Sequence, residues 1–157
     1  MNKFKLKIYL KAAYEIILVF LQFLIISLHF FQWEFIPRKQ IIQVSTLSYF
    51  IGFLIIIIAC IILLVAIKDL GRNLSPFPRP INNSNLVTTG IYRFTRHPMY
   101  YSLIFISFGV FITKLSFYYL FLSISLFLII KLKIYLEEKF LNDKFKNYSL
   151  YKKEVKY

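Results

Sequence analysis

Apolar and polar positions fall in long blocks along this chain, not in the short alternation of a soluble fold. Residues 12–31 carry a single charge, Glu15. At about 1.5 Å per residue a helix of that length spans a hydrocarbon core. Residues 41–67 carry no charge and predict a second, longer helix that crosses with tilt. The stretches 99–113 and 115–136 are shorter apolar pieces separated by Lys114. They predict a helical hairpin whose second arm continues past Lys131 and Lys133, with both lysines snorkelling. A shallow re-entrant hairpin is the alternative. Trp33 closes the first run as an interfacial aromatic, and His29 near its end reads as a polar interfacial residue. Glu15 is expected to snorkel or to pair with Lys11. Gly52 and Ala59 mark a place for close helix packing.

Two polar segments separate or follow these runs. In 68–98, Pro76, Pro78 and Pro80 forbid continuous helix and Gly71 and Gly90 punctuate turns, which predicts an ordered loop over the membrane surface. In 137–157, Leu141, Phe145, Tyr148, Tyr151 and Val155 recur at helical spacing among lysines. That pattern predicts an amphipathic helix lying on the membrane or against the loop. The expected fold class is therefore all-α. The chain is one integral membrane domain with about four membrane helices, the last two a hairpin, and a C-terminal amphipathic cytosolic helix.

Composition agrees: 59% of residues are hydrophobic and mean hydropathy is +0.64. The formal net charge of +13 changes the picture through its distribution. With four crossings, 17 of the 20 Lys and Arg lie on the side of the N-terminus, the 68–98 loop and the tail. The positive-inside rule then puts both termini and the loop in the cytosol, and small size points to a bacterial inner membrane. No arginine-rich or RNP-like pattern supports nucleic-acid binding. Cys60 sits alone in an apolar run, reads as a small buried residue, and makes neither a disulfide nor a metal site. The N-terminal apolar run is too long for a signal-peptide core and reads as a retained helix.

Chemistry concentrates in residues 90–102, GIYRFTRHPMYYS. Charged and titratable groups at the mouth of a membrane segment are costly, and they mark function by default. The plainer reading is a set of basic and aromatic interfacial anchors. A hairpin brings its two ends together, so Arg93, Arg96, His97 and Tyr100 at one end would meet Glu137 and Glu138 at the other.

The segments NLSPFPRP, LVTTGIYRFTRHPMYYSLIFISFG, IYLEEKFL and FKNYSLYKKEV resemble the superfamily of isoprenylcysteine carboxyl methyltransferases and phospholipid methyltransferases. The resemblance runs from about Asp69 to Tyr157. It rests on an Arg-His-Pro-x-Tyr element at Arg96–Tyr100 and a Glu-Glu element at Glu137–Glu138, with Ser102 standing where the family has glycine. The resemblance implies a membrane-embedded enzyme that uses S-adenosylmethionine and needs no metal. It would methylate a lipid or lipidated substrate, either the carboxylate of an isoprenylcysteine-like group or a phospholipid amine. It assigns cofactor contacts to His97, Tyr100, Ser102, Glu137 and Glu138, and catalytic roles to Arg96, His97 and Glu137. A glutamate suits the α-ammonium of the cofactor, and Arg96 with His97 suits its carboxylate. An NADPH-dependent membrane reductase and a non-catalytic membrane relative are the alternatives, and the oligomeric state stays open.

Overall fold

A computed structural model describes residues 3–30 and 39–156, with backbone alone for 3–11. The expectations placed on Trp33 and on the Lys11 side chain lie outside the described residues. Among the described residues five α-helices follow in order: α1 (Lys3–Phe30), α2 (Thr46–Leu70), α3 (Pro98–Lys114), α4 (Phe117–Lys144) and α5 (Tyr148–Glu154). Short 3-10 turns occupy Gly71–Asn73 and Gly90–Arg93. Helices α1, α2 and α4 are long and apolar enough to cross a membrane, while α3 is a shorter apolar helix of 17 residues. This is an all-helical integral membrane protein.

Local signals explain where each helix starts. Ser45 caps α2 through a reciprocal hydrogen-bonded box with Ser48, so this helix begins later than its apolar run. Pro98 occupies the first turn of α3, where its missing N–H costs nothing. Ser116 caps α4 by accepting from the Tyr118 amide. The hairpin turn between α3 and α4 is Leu115–Ser116, with Leu115 left-handed at φ 43°. Its backbone pairs with the segment before α2, where the Ile41 amide donates to the Leu115 carbonyl at 2.7 Å.

The helices pack in the spatial order α2, α3, α4, α1. Gly52 and Gly109 let α2 and α3 approach backbone to backbone, since a Cβ on Gly52 would lie 2.7 Å from the Gly109 carbonyl oxygen. Ile25, Tyr119, Leu122, Leu126 and Ile130 form the buried core between α1 and α4. His29 belongs to an internal polar chain, bonding the Ile25 carbonyl and Ser107 Oγ, each at 2.8 Å, while Ser107 donates to Ser123 at 2.9 Å.

The tail differs from one continuous helix. Helix α4 runs through Glu137 and Glu138 to Lys144, and the chain then turns into α5. The five apolar positions of the expected face do cluster, with Leu86 of the loop, but across a break, with Leu141 on α4, Phe145 in the turn, Tyr148 and Tyr151 on α5 and Val155 just after it. A straight helix would carry Val155 roughly 16 Å beyond Lys144. The turn instead folds it back to the start of α3.

Candidate active site

The site is built around the entry to α3. Asp69 at the end of α2 accepts from the Ile91 amide at 2.8 Å. Gly90, at φ +61°, lets the carboxylate come in: a Cβ there would sit 2.1 Å from Asp69 Oδ2. Tyr92 donates to the Ala66 carbonyl at 3.4 Å, and Tyr151 of α5 donates to the Tyr92 carbonyl at 2.5 Å. Burial pushes the Tyr151 hydroxyl up to about 12, so it stays a donor at neutral pH. These contacts hold the segment that presents Arg96 and His97.

Both side chains converge on Glu138. Its Oε1 accepts from Arg96 Nε at 2.9 Å and Nη2 at 2.7 Å, with His97 Nε2 at 3.3 Å. Its Oε2 accepts from Lys152 Nζ at 2.6 Å. The remaining Arg96 nitrogen donates to the Val155 carbonyl. One carboxylate thus ties α3, α4 and α5 together, and its charge is compensated by Arg96 and Lys152.

Glu137 is placed differently. It makes no ion pair among the described residues, and it lines two small cavities of about 70 and 50 Å³ that share Leu70 and Ser75. The Tyr100 hydroxyl is directed at its carboxylate, and the His97 ring stacks on Tyr100 at 5.8 Å and 26°. Arg96 and His97 line the smaller cavity with Glu137.

Lys133, one turn before Glu137, corrects the expected snorkelling. It is 1% exposed, bonds Gln22 of α1, donates to the Pro76 carbonyl at 2.9 Å, and lies 5.2 Å from the Tyr100 ring centroid. Lys131 does stay exposed. Glu15, buried in α1, pairs with Arg79 of the loop at 2.8 Å. Lys144 bonds Asn82 and Ser84 at 3.0 and 2.8 Å. The proline loop is therefore strapped across Glu137 by contacts to α1 and α4. Lys133→Met leaves the Gln22 and Pro76 oxygens unpaired in the interior. The expected result is a loss of about 2 kcal/mol, read by thermal unfolding in detergent, with faster protease cleavage in residues 74–86.

Of the residues expected in the site, the structure brings Arg96, His97, Tyr100, Glu137 and Glu138 together. Ser102 stands apart. Two positions beyond Tyr100, it faces the other side of α3, donates to the Pro98 carbonyl at 2.9 Å, and lines a cleft against α2. Sequence reasoning missed Lys133 and Gln22 as partners. Their signal was present: both are polar side chains inside apolar runs, and Lys133 is one helical turn from Glu137.

A phospholipid methyltransferase family model matches residues 47–148, from α2 to the first residue of α5. Neither the curated proteins nor the solved structures give a match.

Proposed function

The chain belongs to the phospholipid methyltransferase family, and from that membership we propose that it moves a methyl group from S-adenosylmethionine to a phospholipid amine at the cytosolic membrane face. The observation that carries the reading is the unlike state of two adjacent carboxylates. Glu138 is ion-paired with Arg96 and Lys152, whereas Glu137 makes no ion pair among the described residues and faces a cavity lined by Arg96 and His97. The donor set fits the cofactor. Glu137 suits an α-ammonium, and Arg96 in the same cavity suits a carboxylate. Tyr148, beside the cluster, has a buried hydroxyl with no partner among the described residues. Ligand pockets occupy about 300–1,000 Å³, so the proline loop lifts for the cofactor to enter. The excess of Lys and Arg on the side of this cluster supports its cytosolic placement.

When bound, the cofactor supplies an electrophilic methyl on a sulfonium, which needs no metal and no covalent enzyme intermediate. The chain's residues do the rest. Glu138 fixes the rotamers of Arg96 and His97, and the strapped loop excludes water from the reacting groups. A phospholipid amine is protonated at neutral pH and must lose a proton to attack. His97 accepts it at Nδ1, since its Nε2 already donates to Glu138 and Glu137 is taken by the α-ammonium.

Calorimetry of the detergent-purified protein with S-adenosylhomocysteine tests this reading. The wild type is expected to bind. Glu137→Gln, which keeps shape and removes charge, is expected to weaken binding about tenfold or more with an unchanged unfolding temperature. Equal affinities would move the ammonium site away from Glu137. No binding by a folded wild type would remove the cofactor assignment.

A further inference from the structure

Helix α3 has two working faces. His97 and Tyr100 look towards α4 and Glu137. Thr95, Pro98, Ser102 and Phe105 look towards α2 and line a cleft of about 420 Å³. The α2 side of that cleft is Ile55, Ile58, Ala59 and Ile62.

Three observations define what the cleft takes. Apart from Thr95 its lining is apolar, because the Ser102 hydroxyl is turned back onto its own helix at the Pro98 carbonyl. Its mouth is continuous with the bilayer-facing surface of α2 and α3, since Ile58 of α2 and Phe105 of α3 are 49% and 54% exposed. In a membrane-spanning protein that surface meets hydrocarbon, so the cleft fills with chain and not with water. At its polar end, Thr95 Oγ1 is buried with no hydrogen-bond partner among the described residues. A buried donor left unmade is costly and calls for an acceptor.

We propose that this cleft holds an acyl chain of the acceptor phospholipid, with Thr95 donating a hydrogen bond to its ester oxygen. The proposal rests on the methyltransferase reading. It adds a place for the substrate on the face of α3 opposite Glu137. Thr95 immediately precedes Arg96, so a lipid seated there has its glycerol end at the start of α3 and its headgroup free to reach the cluster. Ala59, 2% exposed, sets the depth of the cleft.

The test uses methyl transfer to long-chain dioleoyl and short-chain dihexanoyl phosphatidylethanolamine, with two variants. Ala59→Phe fills the cleft. It is expected to raise KM for the dioleoyl lipid about tenfold and leave KM for the dihexanoyl lipid within about twofold. Thr95→Val is close in shape and removes the unsatisfied hydroxyl. It is expected to raise KM for both lipids about fivefold, to be rescued by Thr95→Ser, and to leave thermal stability undiminished. Affinity for S-adenosylhomocysteine is expected to stay within about twofold of wild type in both variants. Unchanged KM for the dioleoyl lipid in Thr95→Val, or in a folded Ala59→Phe, overturns the proposal. Should the wild type bind no S-adenosylhomocysteine and methylate neither lipid, the methyltransferase reading fails separately. Native mass spectrometry then decides the cleft alone: dioleoyl lipid retained by wild type and lost from both variants upholds it as a chain site, and equal retention overturns it.

Discussion

Glu138→Ala is expected to abolish S-adenosylhomocysteine binding and to cost about 3 kcal/mol or more of stability. The effect is large because one carboxylate serves three elements. Arg96 from the entry to α3 and Lys152 from α5 both end on it, with His97 alongside. The Arg96 and Glu138 side chains are 11% and 13% exposed, so removing the acid leaves a largely desolvated guanidinium with only the Val155 carbonyl. The tail then loses its ionic tether, keeping the Tyr151–Tyr92 and Arg96–Val155 hydrogen bonds, and the His97 ring loses its carboxylate partner. Thermal unfolding and protease clipping between Lys144 and Lys152 read the two losses. Lys152→Ala is the control. Its side chain is half exposed, and losing that pair costs about 1 kcal/mol or less. If Glu138→Ala unfolds at the wild-type temperature with a protected tail, the ion cluster is not what holds α5.

The second large effect lies far from the charges. Gly52→Leu and Gly109→Leu are each expected to prevent folding. A Cβ at Gly52 would meet the Gly109 carbonyl oxygen at 2.7 Å and the Thr113 amide at 2.9 Å. A Cβ at Gly109 would meet the Gly52 carbonyl oxygen at 2.9 Å. Backbone cannot yield as a flexible side chain does, so the helices must separate and lose packing along their length. Even Gly52→Ala is expected to cost about 1–3 kcal/mol. The pair Gly52→Ala with Gly109→Ala should cost less than the sum of the two, because one separation accommodates both methyl groups. Monodispersity on size exclusion and unfolding temperature measure this. Additive losses would mean that the two positions do not share one contact.

The apolar blocks announce α1, α2 and the α3–α4 hairpin because a membrane helix needs length and hydrophobicity, both of which are local properties. Ser45 and Ser116 move the helix starts away from the block edges, since a cap needs a hydroxyl at one position and not a hydrophobic mean. The tail periodicity identifies the residues that cluster at Tyr148 and Tyr151, but not the break at Phe145–Asn147. Helical spacing says which residues share a face, and what that face packs against decides where the helix must bend.

From sequence alone come the all-helical membrane class, the family likeness, and the chemical types gathered at Arg96, His97, Tyr100, Glu137 and Glu138. Those follow from composition, period and motif. The tertiary structure decided the division of labour among them. Two neighbouring glutamates look alike in the chain, yet about 100° of helical rotation turns one onto Arg96 and Lys152 and leaves the other at a cavity. The same geometry places Ser102 on the α2 side of α3 and draws Lys133 inward to Gln22 and Pro76. Partners come from segments distant in the chain, so no local pattern holds that information. A side chain's charge is written at its own position, but its compensation depends on what the fold brings beside it.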